Sequence, residues 1–217
     1  MKKRAIVFLA GEFEKLPPNF EFRSDDLIIA ADGGFKNLVD LQIKPDFLVG
    51  DFDSLDQSLL KIATDWQVVI ENWPEQKDLT DAEIALDLAL KEGCQSLLFL
   101  GAWGGNRPDH SLGNLALLHR LLEINIDALI YADGFFLRLC GPGNYRILGK
   151  GIVSLIPLTS VVTNIKTEGL FYPLEQENLY IGASRGLSNQ FLEEQAQISF
   201  ETGLLLLIWQ GLLPKDF

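Results

Sequence analysis

Asp51 and Asp53 stand two residues apart in Pro45-Asp46-Phe47-Leu48-Val49-Gly50-Asp51-Phe52-Asp53-Ser54, directly after a short apolar run. On an extended backbone, residues two apart point the same way, so both carboxylates can converge just past a strand end. Acids held that close repel, and a hard divalent cation with oxygen ligands relieves the repulsion. A turn capping the next helix would use the same residue types. Asp32-Gly33-Gly34 sets a further carboxylate before a pair that lets backbone approach a phosphate, or else forms an ordinary strand-to-helix turn. In Gly104-Gly105-Asn106-Arg107-Pro108-Asp109-His110-Ser111-Leu112-Gly113-Asn114, fixed positive charge and free amides at a helix entry could cradle a polyphosphate. There too a structural role competes, with Asp109 or Ser111 as N-cap behind Pro108. His110 lies inside this cluster, whereas His119, one helix later, reads as a partly buried packing residue.

Lys77-Asp78-Leu79-Thr80-Asp81-Ala82-Glu83-Ile84 opens a helix. Thr80 and Glu83 have the spacing of a capping box, and Leu79 and Ile84 that of a hydrophobic staple. Structure accounts for Thr80 and Glu83; the cap has no need of Lys77 or Asp78. Ser188 and Asn189, in Gly186-Leu187-Ser188-Asn189-Gln190, read as turn residues, and Trp209 in the final apolar run reads as core. Trp103 either stacks on a ring or covers the sheet end.

The elements that must position these groups alternate. Strand patterns fall at 5–10, 27–31, 47–49, 67–70, 97–100 and 128–131, with helical patterns at 35–41, 58–64, 81–92 and 112–124. Near-continuous apolar strands separated by helices predict an α/β domain over 1–134, Rossmann-like, with a mostly parallel sheet covered on both faces. Ligands of such sheets bind past the carboxyl ends of the strands, where Asp32, Asp51, Asp53 and the Gly104-Gly105 loop all fall. From 135 to 217 helical periodicity vanishes and Gly-rich turns punctuate short strands, predicting an all-β domain, a sandwich or partly closed barrel.

Composition narrows the partners. With 217 residues, 47% of them hydrophobic, the chain can bury a large core. A formal net charge of −12 argues against nucleic acid or an anionic membrane as partner. An anionic substrate would then need local Arg or Lys, or a metal ion. Cys94 and Cys140 fit a reducing compartment and are too few for a thiolate metal site. The start, Met1-Lys2-Lys3-Arg4 followed by apolar residues, imitates a secretory leader, but Glu12 and Glu14 follow at once, so it reads as a first strand. No apolar run is long enough to span a bilayer. A soluble, cytoplasmic protein is expected.

Taken in order, Ala31-Asp32-Gly33-Gly34, Pro45-Asp46 with Gly50-Asp51-Phe52-Asp53-Ser54, Lys77-Asp78-Leu79-Thr80-Asp81, Arg107-Pro108-Asp109-His110 with Asn114, and Ser188-Asn189 resemble the thiamine pyrophosphokinases across essentially the whole chain. The resemblance implies an α/β catalytic domain, a thiamine-binding and dimerising β-sandwich, and a homodimer with active sites between subunits. It implies transfer of a diphosphate from ATP to the thiamine hydroxyl, releasing AMP. Asp51, Asp53 and Asp81 would bind Mg2+ or act in catalysis, with Asp32 beside them. Lys77, Asp78, Thr80, Arg107, Asp109, His110 and Asn114 would hold ATP, and Ser188 and Asn189 would meet thiamine. One departure is Asn106, which stands before Arg107 where many members place the arginine directly after the glycine pair. No Gly-x-x-x-x-Gly-Lys-Ser/Thr loop is present, so a P-loop kinase is excluded. The alternatives are a pterin-alcohol pyrophosphokinase, a metal-dependent sugar-nucleotide transferase, and a non-enzymatic module binding thiamine diphosphate.

Overall fold

A computed structural model of the chain describes residues 3–53, 55–74, 76, 78–214 and 217. The fold is mixed α/β and divides into two compact units: Met1–Lys15 with Glu21–Ala132, and Leu16–Phe20 with Asp133–Phe217.

In the first unit, β1 (Arg4–Phe8), β2 (Leu27–Ala31), β3 (Phe47–Gly50), β4 (Val69–Asn72), β5 (Ser96–Leu100) and β6 (Asp127–Ala132) pair in parallel, in the order β6-β5-β1-β2-β3-β4. Helices α1 (Gly34–Asp40), α2 (Gln57–Asp65), α3 (Asp81–Lys91) and α4 (Pro108–Glu123) connect them. The chain builds outward from β1 to β4, then returns to the far side of β1 for β5 and β6. Strand order therefore reverses between β1 and β5, which is where an open parallel sheet leaves a crevice. β1 and β5 are buried along their whole length, as central strands must be. β4 is not: Val69 and Ile70 are exposed, because this strand is an edge, paired only with β3 among the described residues.

The basic start of the chain serves the core. Arg4 is buried and gives Nε and Nη2 to the two carboxylate oxygens of Asp26 at 2.9 and 2.6 Å. Its Nη2 also donates to the Glu21 carbonyl, and Asp26 accepts from the Arg23 amide. One ion pair thus fastens the whole 21–26 segment beneath β1 and β2.

The second unit is antiparallel. β7 (Phe135–Cys140), β8 (Gly143–Pro157), β9 (Val161–Glu168), β10 (Glu175–Tyr180), β12 (Gln195–Phe200) and β13 (Leu205–Gly211) follow the order β10-β9-β12-β8-β13-β7, and the short β11 (Asn189–Gln190) pairs with β8. β8 changes partner along its length, from β12 to β13 and β11. Its core centres on Trp209, fully buried and stacked on Phe136 with centroids 5.2 Å apart. Residues 16–20 join this unit because Asn19 pairs its side-chain amide with the backbone of Leu213, donating at 3.2 Å and accepting at 3.0 Å. A bond spanning 194 positions leaves no local signal. Cys94 and Cys140 are both buried free thiols. Among the described residues, no helix is long and apolar enough to cross a membrane.

Candidate active site

Past the carboxyl ends of the parallel strands lies a cavity of about 740 Å³. Its lining comes from the ends of β1 and β2, the turn after β3, the start of α3, and the loop from β5 into α4. That volume falls within the range of small-molecule sites.

Three carboxylates, Asp32, Asp51 and Asp53, bring one oxygen each within 4.8 Å of the others. The route differs from a simple strand pleat. The strand ends at Gly50, Phe52 takes a left-handed conformation (φ 59°), and the Asp51 carboxylate accepts from the Asp53 amide at 3.2 Å. A turn, not an extended run, brings the pair together. Asp32, itself left-handed (φ 43°), donates its amide to the Val49 carbonyl at 2.8 Å, which prolongs the β2–β3 pairing and sets it beside Gly50. Oxygens sharing an octahedral Mg2+ with bonds near 2.0–2.1 Å lie about 3 Å apart when adjacent and about 4.2 Å when opposite, so this set fits a hard cation with small side-chain adjustment.

Asp32 and Asp53 line the cavity, whereas Asp51 is not among its lining residues; Asp81, the first residue of α3, lines it too but stands outside the three-carboxylate group. The capping box in front of it is complete: the Thr80 hydroxyl accepts from the Glu83 amide at 3.2 Å, and Glu83 Oε2 accepts from the Thr80 amide at 2.9 Å. Thr80 lines the cavity while serving this cap; Asp78 is exposed and absent from the lining. Lys77, like Ser54, lies outside the described residues.

The glycine pairs serve different ends. A Cβ on Gly34 would collide with the Phe8 carbonyl, and one on Gly33 would press on Ala10, so this pair lets α1 settle on the end of β1, and neither glycine is among the cavity-lining residues. Gly104 and Gly105 are both left-handed (φ 89° and 83°) and do line the cavity.

α4 begins at Pro108, four residues ahead of the helix predicted from periodicity. Proline in the first turn loses nothing by lacking an N–H, and its fixed φ starts the helix. Arg107 is thus the N-cap residue, without a side-chain cap, and Asp109, His110 and Ser111 belong to the first turn. Arg107 gives Nε and Nη2 to both oxygens of Asp109 at 3.0 and 2.8 Å. Hydrogen bonding from Arg107 pulls the Asp109 carboxyl down from its ordinary 3.8 to about 2, and Asp109 in turn raises Arg107. Arg107 and His110 line the cavity; Asp109 does not.

Asn114 and Ser111 fasten the loop to the helix. Asn114 Nδ2 donates to the Ala102 carbonyl at 2.8 Å, and Ser111 Oγ accepts from the Gly104 amide at 3.2 Å. His119 is exposed on α4, its Nδ1 3.8 Å from Glu123, because position 119 faces away from the sheet; it is no packing residue. Glu12, after the end of β1, also lines the cavity, although no motif marked it. Its only sequence signal is an acid two residues past an apolar strand.

In the second unit, Ser188 is exposed and left-handed (φ 56°). Asn189 is buried, donating to the Tyr172 carbonyl at 2.7 Å and accepting from the Tyr172 and Gln190 amides at 3.0 and 2.8 Å. It holds the turn that presents Ser188.

Residues 20–130 match the family model described as thiamin pyrophosphokinase, catalytic domain, and residues 145–205 match thiamin pyrophosphokinase, vitamin B1 binding domain. The chain belongs to the thiamin pyrophosphokinase family. Thiamine pyrophosphokinase of Bacillus subtilis is 29% identical over 94% of this chain and 98% of its own length. The crystal structure of the B. subtilis protein superposes with a TM-score of 0.86 at 28% identity, covering 98% of this chain and 100% of that one. Thiamin pyrophosphokinase of Geobacillus thermodenitrificans gives 0.82 at 28% identity, covering 99% of each chain. Every cavity-lining residue from the end of β2 onward falls inside the catalytic-domain match; Leu9, Ala10, Gly11 and Glu12 lie before it.

Proposed function

We propose that the chain is an ATP:thiamine diphosphotransferase, making thiamine diphosphate and AMP. The single observation that carries this reading is the cavity in which an acid group and an arginine-bearing helix start meet, in a chain of this family. The pterin-alcohol, sugar-nucleotide and regulatory alternatives are not favoured by the family matches.

The first unit is read as the Rossmann-like catalytic domain, roughly 1–134, and the second, 135–217, as a β-sandwich that binds thiamine and dimerises. Asp32, Asp51 and Asp53 would hold Mg2+, joined by Asp81 from the start of α3. Bound there, the metal supplies charge neutralisation and alignment for an in-line displacement at phosphorus. Arg107 exchanges Asp109 for phosphate oxygens, a swap made easy by the exposure of the pair. His110, which lines the cavity beside Arg107, adds a further polar contact for the phosphates. Asp78, Asp109, Thr80 and Asn114 shape this end, and Lys77 is assigned to the phosphates by family position. One of the cavity acids takes the proton from the thiamine hydroxyl as it attacks the β-phosphorus and AMP departs.

Ser188 is assigned to thiamine, with Asn189 as its support. Phe171, Tyr172, Leu187 and Leu192 are exposed apolar side chains on the segments bonded to this turn, which suits a surface covered by a second copy of the chain. We assign the working form as a homodimer with active sites at the subunit interface, in the cytoplasm. The test is AMP release from Mg-ATP with thiamine, with a pterin alcohol, and with neither. Thiamine-dependent AMP is expected; its absence, or release driven by the pterin alcohol instead, overturns the reading. Sedimentation velocity checks the dimer.

A further inference from the structure

We propose that Glu12 is a specificity residue that accepts the 2′- and 3′-hydroxyls of the ATP ribose; this rests on the cavity being the ATP site. The crevice where strand order reverses lies between the end of β1 and the end of β5. Here the two strand ends are joined beyond their last regular residues, Leu9 donating to the Leu100 carbonyl and Gly11 to the Gly101 carbonyl, each at 2.8 Å. A Cβ on Gly11 would strike the Gly101 carbonyl, and one on Gly101 the Leu9 carbonyl, so only glycine permits this seam. It fixes where Glu12 leaves the backbone. The Glu12 side chain then lies against Gly104: a methyl there would stand 2.8 Å from Glu12 Oε2.

Glu12 is thus set at the cavity edge, outside the carboxylate group of Asp32, Asp51 and Asp53. Among the described residues it makes no hydrogen bond or ion pair, and Arg107 is engaged with Asp109. An ionised carboxylate only accepts, so phosphate oxygens repel it and neutral donors attract it. In ATP those donors are the ribose hydroxyls and the adenine amine. A vicinal diol offers two donors side by side, matching the two oxygens of one carboxylate. In dinucleotide-binding sheets the ribose acid closes the second strand. Here that position belongs to Asp32, which is drawn into the metal-type group, leaving the end of β1 to supply the ribose acceptor.

The experiment measures binding of Mg-ATP, 2′-deoxy-ATP, 3′-deoxy-ATP and ITP by calorimetry, and thiamine-dependent AMP release with each, for wild type, Glu12→Gln and Glu12→Ala. Wild type is expected to favour ATP over both deoxy analogues by about 10- to 100-fold, the range for hydrogen bonds to a charged group. Glu12→Ala should bring both ratios near one, Glu12→Gln should fall between, and the ATP-to-ITP ratio should stay constant. A wild type indifferent to the deoxy analogues overturns the proposal without any variant. So does a preference that survives Glu12→Ala, a loss confined to ITP discrimination, or an equal weakening for every nucleotide. Discrimination without thiamine-dependent AMP sinks the proposed reaction and leaves Glu12 standing; normal AMP release without discrimination does the reverse.

Discussion

Arg4–Asp26 and Arg107–Asp109 are the same chemistry in opposite surroundings. Both are bidentate, Nε to one carboxylate oxygen and Nη2 to the other. The side chains of the first are 1% exposed each; those of the second are 60% and 63% exposed. Removing one partner of a buried pair strands a charge in a dry core, so Arg4 and Asp26 cannot part while the fold lasts. An exposed pair gains little over water, and Arg107 can trade Asp109 for another anion at small cost. Burial makes one pair a fastening and leaves the other available to a ligand. The acid group of Asp32, Asp51 and Asp53 is a third case, like charges gathered within 4.8 Å of one another.

Breaking the buried pair should give the largest effect. Asp26→Ala is expected to cost about 3–5 kcal/mol, a large share of the roughly 5–15 kcal/mol a domain possesses. The urea midpoint measures this, and a shift corresponding to less than about 1 kcal/mol would end the contrast with Arg107. Asp53→Asn is expected to do the opposite. Turnover falls about 100-fold or more as a metal ligand loses its charge, while the urea midpoint moves far less than in Asp26→Ala because Asp53 is exposed. Wild-type turnover in a folded Asp53→Asn protein would remove the metal assignment.

Arg107→Gln should raise the KM for ATP about tenfold, as expected for losing one charge-assisted contact, without moving the urea midpoint. A lowered midpoint with unchanged KM would make this pair structural after all. The pH signature is smaller. The folded Asp109 pKa is depressed by the Arg107 hydrogen bond, so any stability it contributes is present above 3.8 and is lost as pH falls toward about 2. NMR titration should find Asp109 near 2 and see it return toward 3.8 in Arg107→Gln.

Cys94 closes the series. Burial, with Lys3 opposing, lifts its thiol from 9.0 to about 11. The fold favours the neutral thiol, so the linked stability is intact below pH 9 and lost as pH climbs toward 11. A thiol reagent at pH 8 should label Cys94 only on unfolding; rapid labelling of the native protein contradicts its burial.

Features carried by neighbours in the chain were legible in advance. The Thr80–Glu83 capping box forms as its spacing requires, and 27–31 is a strand with the predicted bounds. Asp51 and Asp53 were found as a pair, although the left-handed Phe52 that turns them together left no mark in the pattern of residue types. The start of α4 was missed because apolar periodicity begins only at Leu112, while Pro108 starts the helix by backbone geometry. The burial of Arg4 leaves no local signal either, because its partner Asp26 meets it only when the chain folds.

By itself the sequence determined residue types, local caps, the alternation of strands and helices, and the motifs by which the family is known, all of which depend on near neighbours or on order. Tertiary structure alone decided which charges lie dry or wet, that Asp32 rather than Asp81 joins Asp51 and Asp53, and that Glu12 reaches the cavity. Those outcomes depend on through-space distance and on water exclusion, and both are set by parallel strands whose ends meet only after the sheet has assembled.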